Sequence, residues 1–194
     1  MDAAQESEAD AKSAAHSRLN TLVAITVALL ATFMGVCKVK DDNLVQAMQQ
    51  AQADRIDHWS FYQARNLREE VARATADQLR AQAVVTPAGA KVFSVSAARY
   101  DSIAANESKK KADVRAQAEG DQKAYDALNY RDDQFDLADA MAAIAISLLA
   151  VTSLTNKRWL LYLAFVPTAI AVLMGLAGLL GWKLHSDLLA RLLS

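Results

Sequence analysis

A chain of 194 residues with 21 Lys and Arg against 22 Asp and Glu has a formal net charge of −1, so no global field draws it to a polyanion such as nucleic acid. Its single cysteine, Cys37, excludes an intramolecular disulfide and a cysteine-based metal cluster. The mean hydropathy of +0.05 hides a segregation, because charge is absent from three stretches and dense between them.

Residues 1–18 read as a polar N-terminal tail. Asp2, Glu6, Glu8 and Asp10 stand there against only Lys12 and Arg18, which is not the basic leader of a secretory signal. Leu19 to Cys37 then holds no charged residue over about 19 positions, close to the ~20 that cross a bilayer as helix. Val36 before Cys37 does not suit a lipoprotein signal, so residues 19–37 read as a retained transmembrane helix.

Residues 38–139 follow, with about 15 basic and 17 acidic residues well mixed, as on a solvated surface. Asp41, Asp42 and Asn43 suit a helix start. Alanine, glutamine, arginine and glutamate dominate up to Ala83, with no proline or glycine. Val45, Met48, Ile56, Trp59 and Leu67 recur with an 11-residue rhythm, near 3.67 residues per turn. Thr86-Pro87-Ala88-Gly89-Ala90 reads as a turn. A second helical run, Lys91 to Asp139, carries Phe93, Tyr100, Ile103, Val114, Tyr125, Leu128, Phe135 and Leu137, with weak points at Asn106-Glu107-Ser108 and Gly120. The chain leaves the membrane after residue 37 and returns at 140, so an antiparallel helical hairpin turning near 86–90 is expected. Its alanine-rich seam buries little apolar area, which points to packing against copies or partners.

Residues 140–156 and 159–182 are the second and third uncharged stretches. Between them, Lys157 and Arg158 sit in a very short link and read as the topology determinants, placing that link and the N-terminus on the cytoplasmic side. Residues 38–139 then lie outside, in the periplasm for a bacterial inner membrane. Lys183 and Arg191 flank the last span on the external side and run against this orientation. The tail, residues 183–194, is amphipathic, with Leu184, Leu188, Leu189, Leu192 and Leu193 on one side.

Few residues point to chemistry. His16, His58 and His185 are far apart and lack metal-ligand spacing, so no metal is expected. No phosphate-binding glycine loop and no nucleophile elbow is present. The spans carry no ionisable residue in their middles, and their hydroxyls include Thr26, Thr32, Ser147, Thr152, Ser153 and Thr168. Gly175, Gly178 and Gly181, three apart, offer a face for close helix contact, and Pro167 is a candidate kink. Trp59, Phe61, Tyr62 and Gln63 are interface candidates, because three aromatics in four residues cannot share one helix face. Lys109-Lys110-Lys111, framed by Glu107 and Asp113, reads as a solvated face.

The residues resemble the bacterial membrane proteins of domain of unknown function 4337. Three features carry the resemblance: Asp42-Asn43-Leu44-Val45-Gln46-Ala47-Met48-Gln49-Gln50-Ala51-Gln52-Ala53 after the anchor, Asp57-His58-Trp59-Ser60-Phe61-Tyr62-Gln63-Ala64-Arg65, and Thr155-Asn156-Lys157-Arg158-Trp159-Leu160-Leu161-Tyr162 between the last two spans. Arg65 stands where that family often has lysine. The resemblance implies three spans and no catalytic residues. The expectation is an all-α membrane protein with three transmembrane helices and a long antiparallel hairpin between the first and second. It is a non-enzymatic structural or accessory protein without cofactor, whose partners are membrane lipids, its own copies or other membrane subunits, not nucleic acid. A sensor signalling through a partner and a subunit of a multimeric channel are the alternatives.

Overall fold

From Val36 to Thr86 no glycine or proline interrupts the chain, and a helix that has paid its nucleation cost propagates until something stops it. In the computed structural model, which describes residues 2–182 and their side chains from Ser13 onward, α1 accordingly spans Asp2–Val85. A 3₁₀ turn, Pro87–Gly89, leads to α2, Ala90–Thr155, and a two-residue link to α3, Arg158–Leu180. The described residues are all helical apart from these joints, and all three helices contain segments long and apolar enough to cross a membrane. The amphipathic tail expected at 183–194 and His185 within it lie outside the described residues.

Each break has a local cause. Proline disfavours the helical conformation in the residue before it, and Thr86 sits at φ −130° and ψ 78° ahead of Pro87. Asn156, at φ 57°, takes the left-handed region that asparagine tolerates, which lets the chain reverse within the link. Gly181, at φ 70°, ends α3, and its N–H and that of Trp182 both donate to the Ala177 carbonyl.

Two sequence expectations fail here. No helix starts at Asp41, because α1 runs through it; the Lys38 ammonium meets Asp41 at 2.8 Å and Asp42 at 3.4 Å, and Asn43 Nδ2 donates to the Val39 carbonyl. These contacts lie within the helix and cap none. Nor is α2 broken at Asn106–Ser108 or Gly120, since a glycine costing about 1 kcal/mol does not outweigh a 66-residue cooperative helix. Pro167 likewise lies inside an unbroken α3.

The chain divides into two compact units, Ala47–Ala127 and the segments flanking it. In the flanking unit, two apolar clusters fill the contacts between helices, one mostly alanine and one mostly leucine and valine. Leu30, Ala142, Ala145 and Ala171 form one buried cluster, and Leu19, Val23, Leu149, Leu161 and Ala164 another. Large apolar residues such as Leu29, Leu154, Tyr162 and Val166 are exposed. Large apolar side chains left on the outside suit helices that meet lipid rather than water.

In the Ala47–Ala127 unit, the inward positions of α1 are Met48, Ala51, Arg55, His58, Tyr62, Arg65, Glu69, Ala72, Ala76 and Leu79. Those of α2 are Phe93, Ala97, Tyr100, Ala104, Glu107, Lys111, Val114, Ala118, Asp121 and Tyr125. Both alternate steps of three and four, the seven-residue spacing of a coiled-coil seam. The 11-residue rhythm is therefore not the seam. Of its residues Met48 is buried, but Ile56, Trp59 and Leu67 are 54%, 37% and 65% exposed. Alanine and paired charges fill the interior positions, so counting large apolar residues marks the wrong face.

Candidate interaction surface

The interface candidates on α1 fall on different sides. Tyr62 is half-buried in the seam. Trp59 stands beside it edge to face, with ring centroids 5.4 Å apart and planes at 79°, and so leaves part of its indole in solvent. Phe61 is 59% exposed, and Gln63 is exposed too. With Ile56, Leu67 and Val71, the aromatics leave large apolar surface on the outside of this segment.

The interior of the same unit is ionic. Arg65 Nη1 donates to both Glu107 carboxylate oxygens, at 3.1 and 2.8 Å. Lys111 Nζ lies 2.7 Å from Glu69 Oε2 and donates to Asn66 Oδ1 at 2.9 Å. His58 Nδ1 lies 2.6 Å from Asp121 Oδ2 and Arg55 donates to Gln122, while Arg80 pairs with Asp101 and Asp77 at the exposed edge. The hydrogen bond from Lys111 holds the Glu69 carboxyl below the usual carboxylate range, and that from Arg65 does the same for Glu107. Lys111 is thus not part of a solvated face, though Lys109 and Lys110 are exposed. Sequence reasoning missed this network; its signal was Arg65 to Glu69 and Glu107 to Lys111, each four apart and flanked by alanines at heptad spacing.

The glycines of α3 differ from one another. A Cβ on Gly175 would lie 2.7 Å from the Phe33 ring and 3.0 Å from Cys37 Sγ, and one on Gly178 would lie 2.8 Å from the Phe135 ring. Both seat an aromatic ring from another helix. Gly181 meets nothing within 4 Å among the described residues, and it serves as the helix stop. Around Gly178, Arg131 Nη2 donates to its carbonyl at 2.7 Å and Gln134 Nε2 to that of Trp182 at 2.9 Å.

Lys157 and Arg158 are exposed, Lys157 as the residue before α3. Five span hydroxyls, Thr26, Thr32, Ser147, Thr152 and Thr168, each donate to the carbonyl four residues back on their own helix, and Ser153 donates to Asn20. Among the described residues no group of three or more His, Cys, Asp or Glu is placed to hold a metal ion.

The family described as "Domain of unknown function (DUF4337)" matches over residues 19–181, which takes in most of α1 and all of α2 and α3. No curated protein matches the chain, and no solved structure does.

Proposed function

Given that the chain belongs to the DUF4337 family, we propose that it is a non-enzymatic, membrane-anchored structural protein that associates with its own copies through the outer face of a helical hairpin. The observation that carries this reading is an inversion. In the Ala47–Ala127 unit, alanine and paired charges are inside while Ile56, Trp59, Phe61, Leu67 and Val71 are outside. A solvated segment gains nothing by exposing that surface unless a partner covers it. Mixed, nearly balanced charge on the same segment lets two copies approach without net repulsion.

The hairpin itself is antiparallel. Its support is the order of the paired residues: Arg55 with Gln122, His58 with Asp121, Arg65 with Glu107 and Arg80 with Asp101, rising on α1 as they fall on α2. The apolar parts of α1, α2 and α3 are the three spans of a bacterial inner membrane protein. Lys157 and Arg158 face the cytoplasm and residues 38–139 the periplasm.

The test is purification of the tagged chain from native membranes in mild detergent, with mass spectrometry of the intact particle. The expected result is a homo-oligomer that Trp59→Ala weakens while membrane insertion stays intact. A monomer, or an oligomer indifferent to Trp59→Ala and Leu67→Ala, would overturn the reading. A fixed ratio of other proteins would make the chain an accessory subunit of their complex instead.

A further inference from the structure

Just beyond the first apolar stretch of α1, Asp41 is only 6% exposed. Its Oδ2 receives the Lys38 ammonium at 2.8 Å, whereas Oδ1 is buried without a hydrogen-bond donor. A buried carboxylate oxygen left unmet is costly, so such an atom marks a missing proton or ligand. Asp41 also lines a small cleft with Asp136, Asp139 and Cys37. Across from it on α2, the Asp132 carboxyl faces Asp41 within reach of a hydrogen bond. Two carboxylates make that bond only when one carries a proton, because an ionised carboxylate has no donor.

Among the described residues, the charges around the pair supply no other donor to it. From α1 come Lys38, Asp41 and Asp42, and Lys38 is already engaged by both aspartates. From α2 come Asp132, Asp133, Asp136 and Asp139, while Arg131 is turned to the Gly178 carbonyl. From α3, residues 163–182 supply no titratable side chain. A metal cation is the weaker candidate, since hard cations take about six or more oxygen ligands and no ligand group for one is present among the described residues.

We propose that Asp41 and Asp132 form a proton-binding site, in which one shared proton bridges α1 to α2 beside the membrane and its loss sets two negative charges face to face. This site is independent of the outer face assigned to self-association. The electrostatics agree with the geometry. Burial first, then Asp136 and the bond to Asp41, push the Asp132 carboxyl up to about 6. Burial and then Asp41 raise Asp136 as well. Because the folded value lies above the ordinary 3.8, the stabilisation is complete below that ordinary value and is lost as pH rises through about 6. The contact between α1 and α2 here is therefore tight in mild acid and loosened at neutrality.

The experiment is an infrared titration of the full chain in lipid nanodiscs, following the carbonyl stretch of protonated carboxyl groups. The expected result is a band that grows as pH falls through about 6 and is absent from Asp132→Asn. In Asp41→Asn, its midpoint should fall below that of the wild-type chain, while burial and Asp136 keep it raised. Asp136→Asn should keep the band and lower its midpoint. Three results would overturn the proposal: no protonated carboxyl in the wild-type chain at about pH 5, a band that survives Asp132→Asn or keeps its midpoint in Asp41→Asn, or loss of the band when magnesium or calcium is added, which would make the site a cation site. The wild-type titration decides even where a variant fails to fold.

Discussion

Gly178 offers the sharpest test of the packing. Its place on α3 is covered by the Phe135 ring of α2, and an alanine Cβ would lie 2.8 Å from two ring carbons and 3.1 Å from a third. Carbon atoms pack comfortably at ~3.5–4.0 Å, so the ring must retreat by roughly 0.7 Å or more. Phe135 is 3% exposed and has little room to do so. Overpacking of this kind costs about 1–3 kcal/mol, and the helix preference of alanine over glycine returns about 1 kcal/mol. Gly178→Ala should therefore destabilise the protein by up to about 2 kcal/mol. Gly120, also in α2 but with nothing within 4 Å of its missing Cβ, gives the opposite sign: Gly120→Ala should gain up to about 1 kcal/mol. Reversible unfolding in mixed micelles of rising denaturing-detergent fraction, read by helical circular dichroism, measures both. Adding Phe135→Leu to Gly178→Ala should recover part of the loss. If Gly178→Ala stabilises as much as Gly120→Ala does, the ring does not sit on the glycine and the helix contact is wrong.

Reversing one charge in the seam, Arg65→Glu, should speed protease cleavage within Ala47–Ala127, and adding Glu107→Arg should restore protection; a double variant as labile as the single one would deny that the two residues meet. Glu69 and Glu107 are held below their ordinary value of 4.5, so their contribution is complete above it and lost as pH falls through the lowered values. Hydrogen exchange at Ala72 and Ala104, corrected for intrinsic rates, should stay slow from pH 7 to about 5 and accelerate only in stronger acid. Acceleration already near neutrality would contradict the pairing. Gly181→Ala forces a non-glycine residue to φ 70°, at about 1–2 kcal/mol, and should fray the end of α3 near Trp182, seen as a change in indole fluorescence.

The helical class and the apolar stretches were legible because hydropathy runs, together with Pro87 and Gly89, are local signals. Which face of α1 turns inward was not. Ile56, Trp59 and Leu67 stood out as an 11-residue rhythm, yet the interior positions hold Ala72, Ala76, Arg65 and Glu69, and the charged pair among these depends on partners more than forty residues away. Charge within one helix reads as solvated until its counter-charge on another helix is known. Lys111 illustrates this, since its sequence neighbours suggest solvent and its spatial neighbour Glu69 does not. Asp41 was misplaced for the related reason that a helix-start signal and a buried carboxylate have the same sequence signature.

A seam counted in sevens also restricts how such a chain can change length over evolutionary time. Removing one residue from α1 anywhere between Met48 and Leu79 rotates every later side chain by about 100°, turning Arg65 and Glu69 outward and Ile56-type positions inward. In the hairpin proposed, a deletion of seven in α1 keeps the face but shifts the pairing, and only a matching deletion of seven in α2 restores it. Viable length variants of this segment should therefore come as paired multiples of seven, placed symmetrically about Pro87–Gly89.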